Sequence, residues 1–242
     1  MTAVREALEA NGEGFTPSRL LDVRDRTRAA LWEIAGRMAP GLSEEEARRV
    51  AADVLRDHGL RRGWHKVLVR FGPNTTLNFD DPSPEGTVLD EDDIFFVDIG
   101  PIYGGCEGDA GDTFTVGDDP DMHRAVSDVY GLWHQVRTEW ALRATTGVDL
   151  YRLAEERAEA LGWVLNLELT GHRLSSFPHS AHYDGTLSTV DFAPSDLLWV
   201  LEIQIKHPDR PFGAFFEDLL LYDDVLQARS HRSASGTAGS WT

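Results

Sequence analysis

The feature that most constrains this chain is a set of ionisable residues embedded in apolar runs. Asp98 sits near the end of Ile94-Phe95-Phe96-Val97-Asp98-Ile99, Glu202 inside Trp199-Val200-Leu201-Glu202-Ile203, and Glu217 inside Phe215-Phe216-Glu217-Asp218-Leu219. Asp109, in Glu107-Gly108-Asp109, opens a fourth strand-like stretch, and His172 follows Thr170-Gly171. Burying an ionised carboxylate without a partner costs several kcal/mol. Several carboxylates at close range cannot all remain charged. A fold that gathers these positions therefore needs cations to hold them. Two divalent ions neutralise four carboxylates, one imidazole completes the donor set, and two metals about 3.5 Å apart form a geometry used for hydrolysis by a bridging water. Each residue alone has a plainer reading, an edge-strand Asp or a surface Gly-His turn. The set of five in this order carries the argument.

Around these positions the chain alternates between helical and strand patterning. Residues 1–17 are polar and Gly-bearing and read as a flexible arm. Apolar residues recur at helical spacing from Pro17 to Met38, and Ser43 with Glu46 forms a capping box that opens a second helix ending near Gly59. Val67–Phe71 reads as a strand followed by the turn-forming Gly72-Pro73-Asn74. Residues 94–116 read as a hairpin. A long helix is expected from Pro120 to about Thr145, and another from an Asp149 cap to Leu161. Strands are expected over Trp163–Leu169, Leu197–Ile205 and Phe212–Leu221. The Ser/Gly/Ala-rich residues 228–242 read as a disordered tail. Helices mixed with antiparallel hairpins, with no linker between two cores, imply an α+β fold with one catalytic domain over 18–227.

Composition narrows the function classes. Lys and Arg total 23 against 41 Asp and Glu, a formal net charge of −18. A chain that acidic repels phosphate backbones and anionic lipid, so neither nucleic acid nor membrane is an expected partner. Cys106, the single cysteine, excludes an internal disulfide. No run is long and apolar enough for a membrane span, and no export signal is visible at the start, so a cytoplasmic protein is expected. Trp133, Trp140 and Trp163 are read as core packing, and Asp90-Glu91-Asp92-Asp93 as a solvated turn.

The order Asp98, Asp109, His172, Glu202, Glu217, with Asp109 eleven positions after Asp98, resembles the methionine aminopeptidase/prolidase/creatinase family, which has the pita-bread fold. Val97-Asp98-Ile99-Gly100 is similar to the family's Asp-x-Gly strand. Gly108-Asp109-Ala110-Gly111-Asp112-Thr113-Phe114-Thr115-Val116-Gly117 is similar to its Ser-Asp-x-x-Arg-Thr-Phe-x-x-Gly stretch. Thr170-Gly171-His172 fits its Gly-His motif, and Phe216-Glu217-Asp218 its last Glu-Asp pair. The resemblance covers about residues 18–222. It implies an antiparallel sheet with flanking helices and two divalent ions, Mn, Fe or Co. Asp98 would chelate one, Asp109 and Glu217 would bridge, and His172 and Glu202 would hold the other. His179, seven residues after His172, would hydrogen-bond the scissile group. Glu202 would also take a proton from the attacking hydroxide, and His182 is a further candidate substrate contact. The implied substrate is a small peptide or small-molecule amide, and the resemblance admits a homodimer of a short, methionine-aminopeptidase-sized chain.

The surroundings depart from the family pattern. Asn78 or Phe79 stands where a catalytic His is expected; an Asn there can donate a hydrogen bond but cannot shuttle a proton. His65 lies too far upstream to be read as that residue. Asp112 replaces an Arg, which reads as a charge reversal near the cluster. Gly171-His172-Arg173-Leu174-Ser175 lacks two of the family's glycines, and Arg173 is a candidate for recognising a substrate carboxylate. Ile203 replaces a Pro. Three readings follow: an amide or peptide C–N hydrolase with an altered substrate shell, the same metal site acting on a non-peptide substrate, or a non-catalytic binding module.

Overall fold

The computed structural model describes residues 2–222; the expected tail at 228–242 lies outside them. In chain order the elements are α1 (Thr2–Leu8), α2 (Pro17–Ala35), α3 (Glu44–Asp57), β1 (Leu68–Phe71), β2 (Asp93–Ile99), β3 (Ile102–Tyr103), β4 (Cys106–Glu107), β5 (Ala110–Val116), α4 (Pro120–Arg143), α5 (Gly147–Ala160), β6 (Val164–Leu165), β7 (Val200–Lys206) and β8 (Gly213–Leu219). Local chemistry sets the helix starts. Ser43 and Glu46 form the reciprocal capping box at α3. The Asp119 carboxylate accepts from the Asp121 and Met122 amides ahead of Pro120. For α5 the cap is Thr146, not Asp149: its hydroxyl accepts from the Asp149 amide because Thr146 has the extended backbone that points a cap side chain into the first turn.

Six strands form one antiparallel sheet in the order β1-β2-β5-β8-β7-β6. The expected 94–116 hairpin is the β2/β5 pair, running from Asp93↔Val116 to Ile99↔Ala110, with the small β3/β4 hairpin inserted at its end. Strand side chains alternate between faces. On one face α2 and α3 cover Phe95, Val97 and Ile99, and α4 and α5 cover Leu201, Ile203, Ala214 and Phe216. Trp133, Trp140 and Trp163 lie in that second core, and each indole N–H reaches an acceptor. On the other face a smaller cluster of Leu68, Phe96 and Phe215 is capped by Phe79 and Leu169 from loops. Among the described residues no helix is long and apolar enough to cross a membrane.

Two readings change here. Residues 2–8 are helical, and the segment is docked. Glu9 accepts from Arg5 one helical turn away and from the Ser195 amide and hydroxyl and the Trp199 indole; the last three are long-range partners that a local sequence pattern does not announce. Asp112 does not stand near the acidic cluster. It pairs with Val97 in register, one residue out of phase with Gly111, and therefore faces the helices. There its carboxyl is pushed up to about 6 by burial, against the opposing pull of the Thr113 amide and Arg28. Its neighbour Asp218, also on the helix face, accepts from Nε and Nη2 of Arg24, each at 2.6 Å, and from Arg28 at 2.9 Å.

Candidate metal centre

Sheet register assembles the acids. Asp98 of β2 pairs with Gly111 of β5, Gly111 with Glu217 of β8, and Glu217 with Glu202 of β7. These four positions form one row across the sheet, so Asp98, Glu217 and Glu202 project from a single face. Asp109, two residues before Gly111, shares that face. Gly111 is the gap in the row: a Cβ there would stand 2.3 Å from the Phe215 ring and 2.8 Å from Glu217 Oε1. His172 arrives from the loop before β7. Bridges His172↔Thr186 and Arg173↔Trp199 and the 2.9 Å bond from the Val200 amide to His172 O hold it. Gly171 lies so tightly on β7 that a Cβ would be 2.0 Å from Val200 O. The Tyr151 hydroxyl ties the two segments, donating to Glu202 O and accepting from the Gly171 amide.

Asp98, Asp109, Glu202 and Glu217 are all buried. Donor atoms of Asp109, His172, Glu202 and Glu217 lie within 4.8 Å of one another, and so do those of His65, Asp98 and Asp109. His172 Nε2 is 2.9 Å from Asp109 Oδ2 and 3.2 Å from Glu202 Oε1. Even so, Asp109 Oδ2 and Glu217 Oε1 are buried without an aligned hydrogen bond, and buried acceptors of that kind are expensive to leave unmet. Burial, then the charges of Asp109, Asp98 and Glu202, drive the Glu217 carboxyl well above its usual range. Asp98 is pushed up to about 7, by burial first and then by Asp109 and Glu202, against His65. For Asp109 burial opposes ionisation, but contact with the His172 and His65 rings outweighs it and holds the carboxyl down at about 2. Carboxylates with imidazoles form a donor set suited to divalent cations, and the two unmet oxygens are where such charge would act.

Sequence spacing missed His65. Its Nε2 is 3.2 Å from Asp109 Oδ1 and 3.6 Å from Asp98 Oδ1, and the ring lines the same cavity of about 220 Å³ as the acids. It reaches them because residues 62–64 are bonded to the end of β2: Gly63 bridges Pro101, the Trp64 amide donates to Gly100 O, and the Ile102 amide to Arg62 O. The only sequence signal was the glycine after Ile99, a small residue where a ring could pass.

The other candidates fall in different places. His179 is held by Glu107, whose carboxylate accepts from the His179 amide and from Nδ1, both at 2.9 Å. Its ring stacks on His172 at 5.4 Å and meets the Trp64 edge at 4.9 Å. Asn78 is committed to neighbours, donating to Glu168 and accepting from the Asn166 amide, while Phe79 lines the cavity. His182 is half-buried outside the cavity lining. Arg173 is fully buried and turned away: its guanidinium donates to the carbonyls of Leu8, Ala10, Leu174 and Leu198. It fastens the N-terminal segment, which corrects the expectation that it meets a substrate carboxylate.

The family model described as metallopeptidase family M24 matches residues 19–224. This chain belongs to metallopeptidase family M24. It is 30% identical to methionine aminopeptidase 2 of Mycobacterium tuberculosis (strain ATCC 25618 / H37Rv), over 81% of this chain and 76% of that protein. Among solved structures, the prolidase from Pyrococcus furiosus superposes with a TM-score of 0.74 at 15% identity, covering 90% of this chain and 64% of that one. X-Pro aminopeptidase from Thermotoga maritima MSB8 gives 0.71 at 18%, with 89% and 60% covered. Methionine aminopeptidase from Thermotoga maritima gives 0.67 at 18%, with 87% and 96% covered. The M24 chain thus spans under two thirds of the prolidase and X-Pro aminopeptidase structures but nearly all of the Thermotoga methionine aminopeptidase. The shared fold is the pita-bread fold, and the α+β reading and the family resemblance both stand.

Proposed function

We propose that this M24 chain is a dinuclear, divalent-metal-dependent hydrolase of peptide or amide C–N bonds, of aminopeptidase or Xaa-Pro peptidase type. The observation that carries the reading is the gathering of Asp98, Asp109, Glu202 and Glu217 on one sheet face with His172 brought over it from a loop, in two donor groups that share Asp109, with two buried oxygens unmet. Asp98 would serve one ion, His172 and Glu202 the other, with Asp109 and Glu217 between them. When bound, two such ions supply Lewis acidity and lower the pKa of a coordinated water. Mn²⁺, Fe²⁺ and Co²⁺ all suit the donors.

The chain's own residues divide the remaining work. Glu202 borders the cavity and is the acceptor for a proton leaving the attacking water. His179 Nδ1 faces the Glu107 carboxylate; with both ring nitrogens protonated, the ring would give Nδ1–H to Glu107 and Nε2–H to the scissile group, and a donor used fully at a developing oxyanion is worth roughly 3 kcal/mol. Phe79, Leu169 and Phe215 make the cavity wall apolar, with Glu168 beside them. That wall suits an apolar side chain next to the scissile bond. The buried free thiol of Cys106 fits a reducing, cytoplasmic setting.

Phe79 favours a second reading, a non-peptide amide at the same centre, because a phenyl ring stands where the family resemblance expects a proton carrier. A panel of Met-Ala-Ser, Xaa-Pro dipeptides and small non-peptide amides, assayed with chelated and metal-reconstituted protein, separates the two. Metal-dependent release of an N-terminal residue supports the first; turnover of non-peptide amides alone supports the second; no turnover of any kind in metal-loaded protein favours a binding module.

A further inference from the structure

We propose that His65 is a sixth metal ligand, closing through Nε2 the half of the centre that contains Asp98. The inference rests on the dinuclear reading above and adds an imidazole to the carboxylate side of it.

Ring orientation is the first argument. His65 Nδ1 lies 2.7 Å from Lys66 O, which takes the Nδ1–H and leaves the Nε2 lone pair facing the acids. His172 is built the same way, with Nδ1 2.7 Å from Arg173 O and Nε2 toward Asp109 and Glu202. Anchoring one ring nitrogen to a backbone carbonyl is the usual means of fixing a metal-ligating tautomer. Asp109 spans the pair, Oδ1 toward His65 and Oδ2 toward His172. Ligands about 2.1 Å from a common ion sit roughly 3.0–3.4 Å apart at tetrahedral or octahedral angles. The separations of 3.2 Å to Asp109 and 3.6 Å to Asp98 fall close to that spacing.

The second argument is the cradle. A Cβ on Gly100 would lie 2.0 Å from His65 Cδ2 and Nε2 and 2.7 Å from the Trp64 indole nitrogen, so the glycine makes room for the ring. Trp64 packs edge-on at 4.4 Å and donates its indole N–H to Gly108 O, at the turn into Asp109. Phe79 closes the far side at 5.5 Å. With 8% of its side chain exposed, His65 is held rather than draped. A second imidazole shifts the preference of the Asp98 half from Mg²⁺ and Mn²⁺ toward Fe²⁺, Co²⁺ and Zn²⁺.

The test uses full-length, metal-free protein titrated with Co²⁺ by calorimetry, alongside His65→Ala and His65→Gln, with far-UV circular dichroism as the folding control. Wild type should take up two ions per chain. Each variant should keep one tight ion and lose at least about tenfold in affinity for the other. Pulsed EPR of Mn²⁺-loaded wild type should show two coordinated imidazole nitrogens, a readout that needs no folded variant. Two ions bound with unchanged affinity in both variants, or a single imidazole nitrogen in wild type, overturns the assignment alone. A wild type that takes up no metal overturns the dinuclear reading and the assignment with it.

Discussion

Gly111 offers a sharp test of how the sheet builds the centre. It is the one position without a side chain in the Asp98–Gly111–Glu217–Glu202 row, and its built Cβ falls 2.3 Å from Phe215 Cε1 and 2.8 Å from Glu217 Oε1. Neither neighbour is free to yield. Phe215 is buried against Leu68 and Phe96, and Glu217 is confined by the strand on each side. Overpacking of this kind costs about 1–3 kcal/mol, which for a chain of this size is roughly 2–12 °C in Tm. Gly131 is the internal control. It lies within α4, and nothing stands within 4 Å of its built Cβ. Gly131→Ala should therefore stabilise by about 0.5–1 kcal/mol through helix propensity. The two Gly→Ala changes are chemically identical and opposite in predicted sign. Urea unfolding of metal-free protein reads the stabilities, and Co²⁺ titration reads the centre, where Gly111→Ala should weaken uptake and Gly131→Ala should not. A Gly111→Ala protein with wild-type stability and wild-type metal uptake would refute the row.

Further outcomes follow from other parts of the molecule. Asp112 has a folded pKa of about 6, raised by burial above its unfolded value, so the folded state is penalised as pH rises from about 4 to 6 and the penalty persists above; Asp112→Asn should stabilise by roughly 1–3 kcal/mol at pH 8 and by nothing at pH 3 in denaturant melts. Arg173→Met should destabilise by about 3 kcal/mol or more through the carbonyls it abandons, while leaving any preference between acidic and neutral substrates unchanged. Glu107→Gln should lower kcat with KM and metal content little altered, since it keeps an acceptor at His179 Nδ1 but removes the carboxylate charge behind the ring; equal kcat would show that this charge plays no part in the reaction. Metal at a thousandfold excess over its Kd should add about 4 kcal/mol, or roughly 8–16 °C in Tm over chelated protein.

How much of this was legible in the chain depends on how local each signal is. The α3 capping box, the β2/β5 hairpin and the tryptophan core rest on short-range chemistry and periodicity, and each is found where the pattern places it. The acids were visible because a carboxylate amid Phe96, Val97 and Ile99 breaks an apolar run. Register supplied what spacing could not: Asp112 sits three residues from Asp109 yet on the opposite face, and Asp218 parts from Glu217 in the same way. His65 and Arg173 were misread for one reason. Each is defined by partners far along the chain, His65 by Gly100 and Asp109, Arg173 by Leu8 and Ala10. No pattern in the neighbouring residues reports such partners.

Anomalous diffraction from crystals soaked in Mn²⁺ and recorded on both sides of the manganese edge tests the central claim most directly. Two peaks are predicted, one contacted by Asp98 and one by His172 and Glu202, with Asp109 and Glu217 reaching both. A map with no peak among these side chains, in protein that is folded and manganese-saturated in solution, would contradict it.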